Sequence, residues 1–451
     1  MTDPEVDGVD EALALVGPAP RAPEQERHRA TPWADARSLA ARLGAARPAP
    51  TRRVALGQAL GGVLAQPLAA LTDLPSFDTS AMDGWAVAGP GPWRVREGDS
   101  VLAGHAPASP LPDGEAVRIA TGARVPPGAT AVVRSEHSRT DTAGQLHARR
   151  EATHGQDIRP RGQECRSGDQ LLPAGTTVTP AVVGLAAAAG YDDLLTVERP
   201  RVDVLVLGDE LLTTGLPHDG LIRDALGPML APWLTALGAD VGVTRRVGDD
   251  ADDLHAAVTG STADVVITTG GTAAGPVDHV HPVLRKAGAE LLVDGVKVRP
   301  GHPMLLARLT PARYLVGLPG NPLAAVSGLL TLAEPLLRTL AGRGAPTPYR
   351  AVVRDAVHGH PHDTRLVPVR HAPASAPGHG RTDAPGHGTG RPGGPAAAQV
   401  VPLHYNGPAM LRGIAAADGL AVVPPGGARA GDPLDILALP WAATSNEGCF
   451  T

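Results

Sequence analysis

The sequence predicts a multidomain α/β plus β protein, built on a central, open, mostly parallel α/β sheet and carrying small all-β domains. Three observations predict it. Between Val202 and Gly342, the apolar runs VDVLVLGDE, VTRRVGDD, DVVITTGGTAAGPVD and YLVGLPGNP each stop at an acidic, glycine- or proline-rich turn. That is the layout of a parallel sheet whose carboxyl edge binds a ligand. Short alternating runs divided by Pro and Gly recur between Trp93 and His154 and again after Gly342, which reads as small β modules. The length of 451 residues exceeds one ordinary core and fits about two to four domains.

Composition narrows the function class. With 43% hydrophobic but only 2% aromatic residues, the core is expected to use Ala, Val and Leu rather than large rings. A net charge of −6 without any basic block argues against nonspecific nucleic-acid binding. The two cysteines, Cys165 and Cys449, supply neither a disulfide framework nor a cysteine-based zinc module, and suit a reducing cytosol. The amino end lacks the basic-then-apolar order of a secretory signal, and no run approaches about 18 apolar residues, so a soluble, cytoplasmic protein is expected.

Taken in order, residues 1–31 are rich in Pro, Ala and charge and read as a mobile tail. A helix is expected from Trp33 through DARSLAARLGA, with Ala36, Leu39 and Leu43 on one face and Gly44 as the stop. A second is expected over RRVALGQALGGVLAQ, weakened by its glycines. In DLPSFDTSAMDGWAVAG, Asp78 and Asp83 bracket Ser80, and Met82-Asp83-Gly84 predicts a tight turn aiming a carboxylate outward ahead of a strand. RIATGARVPPGATAVV puts Thr121-Gly122 on a turn where a hydroxyl and bare backbone can approach a ligand. GQDIRPRGQECRSG groups Arg159, Arg161 and Arg166 with Glu164 around Gly162, enough to bind an anion or to pair internally. Thr179 and Pro180 then start an Ala-rich helix that ends at Gly190.

The organising segment follows. Strand 202–207 ends in Gly208-Asp209-Glu210, and Asp224 starts the next helix; strand 240–247 ends in Gly248-Asp249-Asp250. Strand 264–268 meets Gly270-Gly271-Thr272-Ala273-Ala274-Gly275 and then Asp278. Strand 314–317 reaches Leu318-Pro319-Gly320-Asn321-Pro322, with Asn321 as N-cap and Pro322 as first residue of a long helix ending before Gly342. Beyond it β character returns, interrupted by the Pro/Gly/His-rich stretch 372–398, which reads as an unstructured loop whose histidines lack a fixed ligand spacing. The expected domains are a linking domain (32–67 and 155–199), an inserted β domain (68–154), the α/β domain (200–343) and a carboxy-terminal β domain (344–440), with a last tail at 441–451.

Right-handed βαβ crossovers put all these strand ends on one edge, so Asp209, Glu210, Asp249, Asp278, Gly270, Gly271 and Asn321 are expected around a single crevice. Clustered carboxylates raise each other's pKa, and Mg²⁺ bridging to a phosphate is the hard-oxygen way to neutralise them. The Gly-Gly turn, expected to lead into a helix, offers backbone N–H groups to the same phosphate. Lys297, Arg299 and His302 in DGVKVRPGHP add cations. Each residue also has an ordinary role, Asp249 as a helix start and Asn321 as a cap; convergence is what favours a site for an anionic, phosphorylated small molecule. The GGTAAG run lacks both the Lys-Ser/Thr ending of a P-loop and the dinucleotide spacing.

PSFDTSAMDGWAV, RIATGARVPPGATAVV, GQDIRPRGQE, GDEL, the DVVITTGG run with Asp278, RPGHP and GLPGNP occur together and in this order. In this the chain resembles the molybdopterin molybdenumtransferases of the MoeA type, the family that includes the E domain of gephyrin, over about Pro32 to Pro440. The resemblance implies an elongated four-domain homodimer with a molybdopterin-binding-like central domain. It also implies insertion of molybdate into the dithiolene of adenylylated molybdopterin, with Mg²⁺ involved and AMP released. Carried over by position, it makes Glu210, Asp249 and Asp278 acidic groups around metal and ligand and Arg299 a basic one. Asp83, Thr121 and the Arg159/Arg161 turn face the crevice from the amino-terminal domains, with Asp83 acting on the crevice of the partner chain, and Glu164, Gly270, Gly271, Thr272, Lys297, His302, Pro319, Gly320 and Asn321 complete the ligand-binding set. Ala273 stands where the family has a hydroxyl and His302 where it has a second lysine, which opens the alternative of a paralogue that binds molybdopterin, or acts as a scaffold, with weakened chemistry.

Overall fold

The computed structural model describes residues 30–104, 109–273, 278–372 and 398–442. The amino tail, most of the His-rich stretch, Cys449 and the last residues lie outside them. The chain forms two compact units, one of residues 50–198 and one of everything else.

The larger unit begins with helix α1 (Trp33–Ala46), which buries Ala36, Arg37, Ala40 and Gly44. Gly44 is not the stop expected of it. A Cβ there would collide with the Thr339 hydroxyl and stand 2.6 Å from the Leu336 carbonyl oxygen, so this glycine lets two helices touch.

In the smaller unit, strands β1 (Gly84–Val87), β2 (Trp93–Val101), β3 (Glu115–Ile119), β4 (Ala131–Arg134), β5 (Ser138–Thr140) and β6 (Gln145–Ala148) form a six-stranded sheet of order β4-β1-β3-β2-β6-β5. Alternate residues face two separate clusters, Ala86, Val117, Ile119 and Val132 on one side and Val87, Ala116, Ala131 and Val133 on the other. The helix expected over RRVALGQALGGVLAQ is not formed. Thr51–Ala55 is a strand paired with Asp193–Val197, a partner some 140 residues away, and Gly61 turns the chain at φ 73°. Helix α2 (Pro180–Ala188) starts as expected, with the Thr179 hydroxyl accepting from the Val182 N–H at 3.3 Å.

In chain order, the larger unit continues with β7 (Arg201–Leu207), α3 (Leu226–Ala236), β8 (Asp240–Val247), α4 (Ala251–Gly260), β9 (Val265–Thr269), α5 (Val280–Lys286), β10 (Glu290–Asp294), β11 (Leu305–Thr310), β12 (Arg313–Leu318), α6 (Pro322–Gly328) and α7 (Glu334–Leu340). The sheet order is β8-β7-β9-β12-β11-β10; the first four strands are parallel and the last two antiparallel. Both faces are covered. Val202, Val204 and Val206 of β7 enter one core with α1, α3 and the β12-linked helix, while Leu205 and Leu207 enter another with α4 and α5. That is why these strands read as continuous apolar runs.

Helices α6 and α7, joined by the π-helical turn Leu329–Ala333, make one 19-residue helix from Pro322 to Leu340 that is long and apolar enough to cross a membrane, yet is 89% buried in the core. It starts at Pro322 and ends before Gly342 as expected, although Glu334 and Arg338 interrupt its apolar run in the sequence. The π-turn is where α1 docks: Trp33 Nε1 donates to Thr331 Oγ1 at 3.0 Å, and Arg37 donates to the Leu330 carbonyl. A seven-stranded sheet, mostly from residues after Gly342, completes the unit and also takes in Thr31–Pro32 and Val296–Arg299.

Candidate functional site

β8 and β9 flank β7, and the chain runs in opposite directions across the sheet from that strand, so the switch point lies at the carboxyl end of β7. A cavity of about 530 Å³ opens there. Glu210, Asp249 and Asp278, the acidic groups expected to meet, all line it, together with Gly270, Gly271, Gly320 and Asn321. Leu207, Leu211, Ile222 and Leu226 give it an apolar wall, the mixture of apolar surface and few polar groups that small-molecule sites show.

Local chemistry explains the acidic rim. Gly208 takes φ 131°, and a Cβ on it would collide with the Glu210 carboxylate, which therefore lies folded over the bare backbone. Arg246 of β8 holds this turn, donating from Nε to the Gly208 carbonyl at 2.9 Å and from Nη2 to the Asp209 carbonyl at 2.7 Å. Asp209 does not line the cavity; it joins the two turns. Its N–H donates to Asp249 Oδ2 at 3.3 Å, and its own Oδ2 accepts from the Asp249 N–H at 3.4 Å. Helix α4 is capped by Asp250, which accepts from the N–H groups of Asp252 and Asp253 at 2.8 and 2.9 Å. Asp249 is thus not needed to start the helix. Asp224 serves the same purpose for α3, accepting from the Leu226 and Gly227 N–H groups at 2.9 and 3.0 Å. Asn321 occupies the N-cap position of α6 but makes no capping hydrogen bond, so its amide is available on the exposed rim.

Other expected ligand residues are elsewhere. Thr272 is 4% exposed and packs by its methyl against Gly317, and Pro319 is buried; neither lines the cavity. Gly270 and Gly271 both take positive φ, at 84° and 65°, but the Gly270 N–H donates to the Leu318 carbonyl at 2.8 Å. Helix α5 starts only at Val280, so the turn does not open directly into a helix N-terminus. Lys297, Arg299 and His302 do not line the cavity either, because Val296–Arg299 leaves the central sheet for the seven-stranded one. There Arg299 pairs with Asp363 at 2.9 Å, and His302 Nδ1 donates to the Val296 carbonyl at 2.8 Å.

The smaller unit carries the remaining set. Asp83 is exposed, and its Oδ1 accepts from both the N–H and the hydroxyl of Thr121, at 2.7 and 2.9 Å. Those two bonds, with the Arg118 charge nearby, hold its carboxyl below the usual carboxylate range. Arg159 is exposed on the strand Ile158–Arg159, paired with Thr79–Ser80. Arg161 forms an ion pair with Asp73, and its N–H donates to Asp78 Oδ1 at 2.7 Å, so internal pairing accounts for it. Glu164 is exposed, beside the buried Cys165 and the exposed Asp169, at a shallow hollow of its own.

Fold and cavity together define a multidomain α/β protein with a carboxylate-lined cavity at the switch point of its central sheet. Residues 31–190 match the family described as MoeA N-terminal region (domain I and II), and residues 203–339 the family described as probable molybdopterin binding domain. The chain is 30% identical over 414 residues, 88% of its own length and 93% of the other, to the molybdopterin molybdenumtransferase of Staphylococcus aureus strain Mu50. It is 38% identical over 315 residues, 66% of this chain and 76% of the other, to molybdopterin molybdenumtransferase 2 of Mycobacterium tuberculosis strain CDC 1551. A molybdopterin biosynthesis MoeA protein from Pyrococcus horikosii shares the fold, with TM-score 0.71 and 23% identity, covering 91% of this chain and 99% of that one. The chain belongs to the molybdopterin molybdenumtransferase family, of the MoeA type.

Proposed function

We propose that this protein inserts molybdate into the dithiolene of adenylylated molybdopterin and releases AMP. The meeting of Glu210, Asp249 and Asp278 in one cavity, within the segment that matches the molybdopterin-binding family, carries the reading. The apolar wall suits a ring system, and the open rim at Gly320 and Asn321 leaves room for a phosphorylated tail.

The donor set suits Mg²⁺, which takes one or two carboxylates and completes its shell with water and substrate phosphate. Among the described residues no three His, Cys, Asp or Glu side chains group closely enough to hold an ion by themselves, so phosphate oxygens would have to complete the site. Glu210, Asp249 and Asp278 are the residues that would hold Mg²⁺, and the ion would supply charge neutralisation for a phosphoanhydride substrate. Glu210 is positioned for this by Gly208 and Arg246, and Asp249 by Asp209. Molybdate is substrate, not cofactor.

A homodimer is part of the reading: Asp83, set by Thr121, and Arg159 act on the crevice of the other copy, and the protein works in the cytoplasm. The test is AMP release from adenylylated molybdopterin, with molybdate and Mg²⁺ each omitted in turn. The reading requires AMP only when both are present; unchanged nucleotide with both present overturns it.

A further inference from the structure

We propose that Arg223 is the residue that holds the anionic phosphate part of the substrate in this cavity. The proposal rests on the transferase reading and names a contact within it. Among the described residues that line the cavity, Arg223 is the one cationic side chain, and it shares that lining with Glu210, Asp224, Asp249 and Asp278. The other candidates are engaged elsewhere, Arg299 with Asp363 and Arg246 with the Gly208 and Asp209 carbonyls.

The backbone of Arg223 is fixed while its guanidinium is largely open. Ile222–Arg223 pairs in parallel with Leu211–Leu212; the Ile222 N–H donates to the Glu210 carbonyl at 2.8 Å, and the Asp224 N–H to the Leu212 carbonyl at 3.0 Å. Asp224 in turn caps α3. Arg223 therefore sits between a two-strand ladder tied to Glu210 and a capped helix, on an exposed rim. Its guanidinium makes one long hydrogen bond, Nη1 to the Leu212 carbonyl at 3.3 Å, and among the described residues it takes part in no ion pair. A planar fork with unused donors beside carboxylates suits a ligand that presents phosphate oxygens to both, through a cation on the acidic side and directly on the guanidinium side.

The test compares full-length wild type with Arg223→Gln and Arg223→Met, the latter keeping the aliphatic stem should the first fold poorly. AMP release is followed at saturating Mg²⁺ and molybdate while adenylylated molybdopterin is varied, and binding of the same compound is measured by equilibrium dialysis without molybdate at two salt concentrations. Losing charge-assisted hydrogen bonds should raise KM and Kd roughly tenfold or more, with the change in kcat much smaller and the salt dependence reduced. A variant that turns over with wild-type KM and Kd, or loses only kcat, overturns the assignment and leaves the transferase reading standing. A wild type that neither binds the compound nor releases AMP overturns that reading, and this assignment with it.

Discussion

Replacing Arg37 by Met tests how α1 is bound to the long core helix. Arg37 and Glu334 are 8% and 7% exposed and lie 3.6 Å apart. At an effective dielectric of about 20, unit charges at that separation attract by about 4–5 kcal/mol. Removing one partner of a buried pair costs about 3–5 kcal/mol, because the other charge is left unpaired. Arg37 also supplies the donor for the Leu330 carbonyl in the π-turn, which Met cannot. Burial already pushes the Glu334 carboxyl up, opposed mainly by the Arg37 charge. Without Arg37 it rises further above its unfolded value. A raised carboxyl contributes stability at low pH that is lost as pH rises, so the cost of Arg37→Met should be smaller near pH 5 and larger near pH 8. The double change Arg37→Met with Glu334→Leu should cost less than either single change, since no charge stays buried alone. Denaturant or calorimetric unfolding of the larger unit at several pH values reads all three. Additive losses with no pH dependence would refute the reasoning.

Four further outcomes follow from individual contacts. Gly44→Ala should destabilise by about 1–3 kcal/mol through overpacking against backbone atoms of α7, outweighing the gain of up to about 1 kcal/mol in helix propensity, as read by thermal melting. Gly208→Ala should displace the Glu210 carboxylate and strain the backbone at φ 131°, abolishing AMP release with a smaller effect on the melting temperature. Asp250→Ala should cost about 1 kcal/mol of stability as a lost cap and spare most activity, whereas Asp249→Asn should spare stability and raise the Mg²⁺ concentration needed for half-maximal rate. Thr121→Val removes one hydrogen bond to the ionised Asp83 and so raises its pKa; the acid limb of the pH–rate profile should move to higher pH, while an unchanged limb would separate Asp83 from the reaction.

Much of the central sheet was legible because each apolar run closes on glycine or aspartate, and both faces of the sheet are covered, so the runs stay unbroken. The acidic rim followed from topology alone: parallel strands put Glu210, Asp249 and Asp278 at one edge. Non-local pairing was what local pattern could not show. Thr51–Ala55 looks helical until Asp193–Val197 arrives beside it, and the Lys297–His302 turn looks like part of the site until Val296–Arg299 joins another sheet. Gly44 was read as punctuation because a glycine at a helix end and one at a helix crossing are identical in sequence. Arg246 and Arg223 were missed for a related reason: a lone arginine acquires its meaning from carbonyls or an opening contributed by another strand.

The most direct measurement compares AMP release from adenylylated molybdopterin by the wild type and by a Glu210→Gln/Asp249→Asn variant, in the presence of molybdate and Mg²⁺. Release by the wild type and at least a hundredfold slower release by a variant that melts at the same temperature is the predicted result, on the order expected when groups neutralising charge at the breaking bond are removed. Equal rates from both proteins would contradict the claim that these carboxylates form the reacting edge of the cavity.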